Sequence, residues 1–155
     1  MNNVRLAREW RASVRLPVKA HMPHAPRSRR LVLVVDDDAG LRDSIRALLE
    51  SMGFLVSTAG NAWEAICEIG AQRPDLILTD IYMPEGDGYE LISAMRNFGE
   101  TIPIVAMSGG AMQYGVEDHL GIAKRLGAEA TLPKPFRAAV LVETVDRAID
   151  GRLVA

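Results

Sequence analysis

The chain has 155 residues, 48% of them hydrophobic and 25% charged, with a formal net charge of −2 and one cysteine. That suits one ordinary soluble domain able to bury its own core. It excludes a disulfide scaffold, because Cys67 has no partner in the chain. It also excludes a transmembrane helix, because the longest apolar runs, Leu31–Val35 and Ala138–Val142, fall far below the ~20 residues a bilayer requires.

The small net charge conceals a division. Residues 1–30 hold eight basic residues and one acid, Glu9, a net of +7; the rest holds ten basic and nineteen acidic residues, a net of −9. A basic arm, expected to be flexible, therefore precedes an acidic domain, residues 31–150, with a short tail at 151–155. In the arm, Val4, Ala7, Trp10 and Val14 follow a helical spacing beside Arg5, Arg8, Arg11 and Arg15. Three readings stay open: a disordered tail, an amphipathic helix on an anionic surface, or a transit-peptide-like segment or misplaced start. His21 and His24 have a chelating spacing but no third ligand nearby.

From Leu31 short apolar runs alternate with amphipathic stretches. Leu31–Val35 reads as a strand buried on both faces, followed by a helix on Leu41, Ile45, Leu48, Leu49 and Met52 that Gly53 closes. Leu55–Ala59 is the second strand. Asn61 with Glu64 caps a helix whose inner face carries Ala62, Ala65, Ile66 and Ile69. Leu76–Thr79 is the third strand and runs into Asp80; Asp87 with Glu90 caps the third helix, with Leu91, Ile92, Met95 and Phe98 inward. Ile104–Met107 is the fourth strand, Val116, Leu120 and Ala123 mark the fourth helix, Ala130–Pro133 is the fifth strand and Val140–Ile149 the last helix. Cys67, Met52, Met95 and Met107 read as packing residues, Trp63 as exposed, and His119 as a surface residue of the fourth helix. Five such units without repeats predict one doubly wound α/β domain.

Reactive groups of an open parallel sheet gather outside the carboxyl ends of its strands. There the sequence sets Asp36, Asp37 and Asp38 after strand one, Asp80 after strand three, Ser108 after strand four and Lys134 after strand five. Crowded carboxylates must take up protons or a cation, and oxygen-only ligands in an open site suit Mg²⁺. Asp80, alone at the central strand's end, is the best nucleophile. Asp36 and Asp37 form the metal pair, and Asp38 belongs to the turn or the helix cap. Lys134 and Ser108 are placed to hold anionic oxygens. The pattern predicts metal-assisted phosphoryl transfer to a carboxylate.

The segments LVLVVDDDAGLR, LILTDIYMPEGDGYE, IPIVAMSGG and GAEATLPKPF together resemble the receiver domains of two-component response regulators, over residues 31–150. The resemblance implies a flavodoxin-like (βα)5 fold with a five-stranded parallel sheet of order 2-1-3-4-5. It implies Asp80 as phosphoacceptor and metal ligand, Asp37 as a direct Mg²⁺ ligand, Asp36 acting mostly through water, and the Tyr82 backbone carbonyl as a further ligand. It makes Ser108 the switch hydroxyl and Lys134 the phosphate-pairing lysine, with a cis Lys134–Pro135 bond, and Gly109 leaves room for a phosphodonor. Three positions depart from the pattern: Thr131 replaces a frequent aromatic, Gly86 replaces a methionine, and Ser108 to Lys134 is about four residues longer, placed here before the fourth helix.

The expected function is that of a cytoplasmic single-domain switch rather than an enzyme. A sensor histidine kinase or histidine phosphotransfer protein phosphorylates Asp80, and the face around the fourth helix, fifth strand and last helix changes for a downstream protein. No specific nucleic acid is expected as partner, and the chain is a monomer or a weak phosphorylation-dependent dimer. The alternative, a small aspartate-nucleophile phosphohydrolase, usually needs a second acid where Tyr82 stands. A flavin module lacks a phosphate loop after strand one, and DNA binding would rest on the arm alone.

Overall fold

The computed structural model describes residues 27–109 and 116–151, with Ser28 and residues 116–118 described by backbone alone. The arm to Pro26, with Trp10, His21 and His24, lies outside the described residues, as do the tail 152–155 and the stretch 110–115 assigned to the insertion. Arg27–Arg29 make a 3-10 turn. There follow β1 (Leu31–Val35), α1 (Ala39–Ser51), β2 (Leu55–Ala59), α2 (Ala62–Ala71), β3 (Leu76–Asp80), α3 (Gly88–Asn97), β4 (Ile104–Gly109), α4 (Val116–Leu126), β5 (Ala130–Lys134) and α5 (Ala138–Ile149). All neighbouring strands pair in parallel in the order β2-β1-β3-β4-β5. This is the expected flavodoxin-like fold.

Alternation along the strands divides the core into two layers, because successive side chains point to opposite faces. Leu33, Val35, Ile77, Ile104 and Ala106 pack against α2, α3 and α4, through residues such as Ile69, Leu91, Ile92, Met95 and Ala123. Val32, Val34, Leu76, Leu78, Val105 and Met107 pack against Ile45 and Leu49 of α1 and Leu141, Val145 and Ala148 of α5. Every residue of β1 and β3 is buried, as expected for central parallel strands covered on both faces.

Local chemistry sets where the helices start and stop. The side chains of Asp38, Asn61 and Asp87 accept hydrogen bonds from the backbone N–H groups of Leu41, Glu64 and Glu90, capping α1, α2 and α3. Glu64 reaches back to the N–H of Gly60, at 2.7 Å. Gly53, at φ +93°, ends α1 in the left-handed region.

Two expected core residues are not in the core. Met52 is 39% exposed, because as the residue ending α1 it lies at the rim between α1 and α5. Cys67 is exposed: the buried stripe of α2 runs through Ala62, Ala65 and Ile69, and position 67 falls on the opposite side. α1 and α5 also each begin two residues before their first apolar marker, Leu41 and Val140.

Residues 27–30, read with the arm, pack onto the domain. Arg30 is buried, its guanidinium 2.7 Å from Asp150, and its carbonyl accepts from the N–H of Leu55. Arg27 pairs with Asp146 and lies over the Phe54 ring at 5.6 Å.

Candidate functional site

The order reversal between β1 and β3 opens a crevice at the carboxyl edge of the sheet, and the polar residues ending the strands converge there. Asp36, directly after β1, is 1% exposed. Its Oδ1 accepts from the N–H of Asp38 at 2.9 Å, and its carbonyl accepts from Arg42 Nη1 at 2.6 Å. Asp37 is exposed at the mouth. Asp80, the last residue of β3, is buried. One carboxylate oxygen from each of Asp36, Asp37 and Asp80 lies within 4.8 Å of the others. Asp38 stands apart from this cluster as the cap of α1, as its position predicted.

Lys134 ends β5 and reaches across the crevice. Its Nζ donates to Asp36 Oδ2 at 2.7 Å and lies 3.2 Å from Asp80 Oδ1. Burial pushes the Asp80 carboxyl up to about 6; Lys134 opposes this, while Asp36 and Asp37 add to it. Burial works against the Lys134 ammonium, but its hydrogen bond to Asp36 and the charges of Asp80 and Asp36 prevail, so its pKa lies above the ordinary value. Three carboxylates against one ammonium leave the crevice two negative charges in excess when all four groups are ionised. An all-oxygen set with that imbalance fits one hard divalent cation.

Ser108 is 1% exposed, and its hydroxyl has no hydrogen-bond partner among the described residues. It pairs in register with Pro133, one residue before Lys134. A Cβ at the next position, Gly109, would lie 3.6 Å from Lys134 Cδ. The Lys134–Pro135 peptide is cis, as the resemblance implied.

Two features escaped the sequence reading. Gly88 opens α3 directly against the backbone of Asp80: a Cβ there would lie 2.3 Å from the Asp80 carbonyl oxygen. The glycine after the Asp87 cap was the signal for such a close approach. The second is a polar contact between α4 and the loop after β3. His119 is half-buried rather than a surface residue: its Nδ1 meets the Tyr82 hydroxyl and lies 3.2 Å from that of Tyr89. The Tyr82 and His119 rings pack edge to face at 5.0 Å. The Tyr82 side chain thus turns to α4 and away from the carboxylates' chemistry. Burial raises the Tyr89 phenol to about 12, with Tyr82 and Asp87 adding to it. No sequence periodicity reports such a contact between one loop and two helices.

Comparison with known proteins agrees with this geometry. The model of the response regulator receiver domain matches residues 32–146. An uncharacterized 14.6 kDa protein of Leptolyngbya boryana is 38% identical over 118 residues, covering 75% of this chain and 87% of that protein. The response regulator MprA of Mycobacterium tuberculosis is 37% identical over 105 residues, 68% of this chain, and the match spans 44% of that regulator's length. Among solved structures, the receiver domain of NtrX from Brucella abortus superposes with a TM-score of 0.71 at 30% identity, over 77% of this chain and 98% of that one. A CheY-like receiver domain protein of Methanospirillum hungatei gives 0.70 at 27% identity, over 79% and 95%. Among the described residues no helix is long and apolar enough to cross a membrane. A family match across residues 32–146, about three quarters of the chain, on the fold and the acidic crevice just described, makes this chain a member of the response regulator receiver domain family.

Proposed function

We propose that the chain is a phosphorylation switch in which Asp80 accepts a phosphoryl group from the phosphohistidine of a sensor kinase or phosphotransfer protein, within a receiver unit spanning residues 31–150. The charge imbalance at the crevice carries this reading. Three convergent carboxylates facing one lysine leave a site two charges short, which suits a divalent cation shared with a phosphoryl group. Asp36, Asp37, Asp80 and the Tyr82 backbone carbonyl are the proposed holders of Mg²⁺. When bound, the ion supplies charge neutralisation for the phosphoryl oxygens beside the carboxylates.

The chain's own residues do the rest. An Asp80 carboxylate oxygen attacks phosphorus, the P–N bond to the donor imidazole breaks, and the imidazole leaves with the electron pair and takes a proton. The new anionic oxygens then recruit Lys134, already 3.2 Å from Asp80, and the unpartnered hydroxyl of Ser108. Moving Ser108 biases β4 and the face of α4, β5 and α5 toward a second state that a downstream protein reads. Thr131 is half-buried on β5 in place of an aromatic, so we assign the link from the site to α4 to Tyr82 and His119 instead.

The test is labelling by acetyl phosphate followed by intact-protein mass spectrometry. The expected result is Mg²⁺-dependent phosphorylation of the wild-type chain and none of Asp80→Asn. Equal labelling of both would refute the assignment. Rapid multiple turnover of small phosphate esters would instead favour a hydrolase.

A further inference from the structure

Two of the three carboxylates in the crevice are held by bonds of their own. Asp36 Oδ1 accepts from the N–H of Asp38 at 2.9 Å, and its Oδ2 accepts from Lys134 Nζ at 2.7 Å. Asp80 closes the central strand and lies 3.2 Å from the same Nζ. Asp37 differs. It is exposed, and among the described residues its carboxylate has no hydrogen-bond or ion-pair partner. Its approach to within 4.8 Å of the other two therefore depends on the backbone that carries it.

That backbone leaves regular structure at this point. The N–H of Asp36 still donates to the Ala59 carbonyl at 3.2 Å, continuing the β1–β2 pairing. A parallel ladder would next bring the N–H of residue 61 to the Asp36 carbonyl. Asn61 instead opens α2, its side chain capping the N–H of Glu64. The carbonyl of a buried residue is thus left over at the end of the ladder, and such a group needs a donor. Arg42 supplies it.

Arg42 Nη1 donates to that oxygen at 2.6 Å, while the Arg42 backbone N–H donates to the Asp38 carbonyl at 2.9 Å. One residue of the first turns of α1 therefore grips the chain on both sides of Asp37. Gly60 leaves room for the guanidinium: a Cβ there would lie 3.6 Å from Arg42 Nη1 and 3.2 Å from Glu64 Oε2. The Asp36 carbonyl and the Asp37 N–H belong to one planar peptide. Holding the oxygen fixes that plane, and with it the direction in which the Asp37 side chain leaves the chain.

We infer, building on the divalent-cation reading above, that Arg42 is a positioning residue for the cation site. By gripping the Asp36 carbonyl it orients the Asp36–Asp37 peptide so that the Asp37 carboxylate joins Asp36 and Asp80. In this role Arg42 touches neither the cation nor the phosphoryl group.

Geometry and charge predict opposite signs for its removal. A guanidinium acting only through its charge repels Mg²⁺, so its loss would tighten binding. A guanidinium that holds the ligand-bearing backbone has the reverse effect: its loss weakens binding by about tenfold, as removal of groups supporting metal ligands does.

The experiment titrates MgCl2 into the full chain and follows the backbone amide NMR shifts of residues 36–38 and 80–82. The metal-free thermal midpoint is measured in parallel. Arg42→Met should raise the Mg²⁺ Kd about tenfold. Arg42→Lys keeps the charge and one donor, and should recover most of that loss. A Kd lowered in Arg42→Met overturns the inference and makes Arg42 an electrostatic brake on the site. A lower metal-free midpoint with an unchanged Kd also overturns it, leaving Arg42 a purely structural residue. Arg42→Lys binding as weakly as Arg42→Met overturns it too. Absence of Mg²⁺-dependent shifts in the wild-type chain would remove the cation site itself, and this role with it; saturable wild-type shifts with Arg42→Met unchanged would remove this role alone.

Discussion

Asp80 is ionised at neutral pH against the preference of its surroundings. Its folded pKa of about 6 lies above the ordinary 3.8, so the folded state holds the proton more tightly than the unfolded state does. In chelator, stability should therefore fall as pH rises from about 4 to about 6 and stay at the lower level above that. Asp80→Asn removes the penalty: after discounting for solvent contact, a gain of about 1–2 kcal/mol is expected near neutral pH, vanishing below about pH 4. Urea unfolding at both pH values checks this. Lys134→Met acts in the opposite sense, stranding the buried Asp36 and Asp80 carboxylates without a cation. A loss of about 3 kcal/mol at neutral pH is expected in the same assay. Equal stability of that variant and the wild type would mean that water already neutralises the crevice.

At the scale of elements, the register of α3 on β3 decides where Asp80 points. The Gly88 N–H donates to the Ile81 carbonyl at 2.9 Å, and the helix start has no room for a side chain above the Asp80 backbone. Gly88→Ala forces α3 and the β3 end apart. A cost of about 1–3 kcal/mol is expected from overpacking, with labelling by acetyl phosphate reduced although every reactive side chain is retained. Normal labelling with normal urea stability would show that the loop after β3 absorbs the methyl group. The contact of Tyr82, in that loop, and Tyr89, on α3, with His119 ties both to α4. A polar contact thus spans the two elements that β4 and its Ser108 lie between.

For the whole molecule, the proposed cation site would couple cation binding to folding, because its three carboxylates come together only in the folded chain. The thermal midpoint should therefore rise with Mg²⁺ concentration, by an amount equivalent to about 1.4 kcal/mol at tenfold excess over the dissociation constant. Asp37→Ala, at the exposed mouth, should abolish that rise with little effect on the metal-free midpoint. A differential scanning calorimetry series with and without chelator reads both. An unchanged midpoint in the wild type would remove the cation from the proposal.

Much of this protein follows from residue order alone. Alternating apolar runs and capping residues such as Asn61 and Asp87 determine five strand–helix units, and parallel strands with right-handed crossovers bring their carboxyl ends to one edge. Asp36, Asp37, Asp80, Ser108 and Lys134 were legible for that reason: each lies at or just beyond the carboxyl end of a strand, so topology alone gathers them. The packing directions of single side chains were not legible. Met52 and Cys67 carry apolar side chains but face outward, because a helix presents only one stripe to the sheet and position on that stripe overrides residue type. His119 and Gly88 owe their roles to neighbours far apart in the chain, Tyr82 and Tyr89 for the one and the Asp80 carbonyl for the other. Periodicity describes an element's own faces and carries no information about what lies opposite. Only the tertiary structure decides which atoms meet across the crevice, because those atoms come from strand ends far apart in the chain.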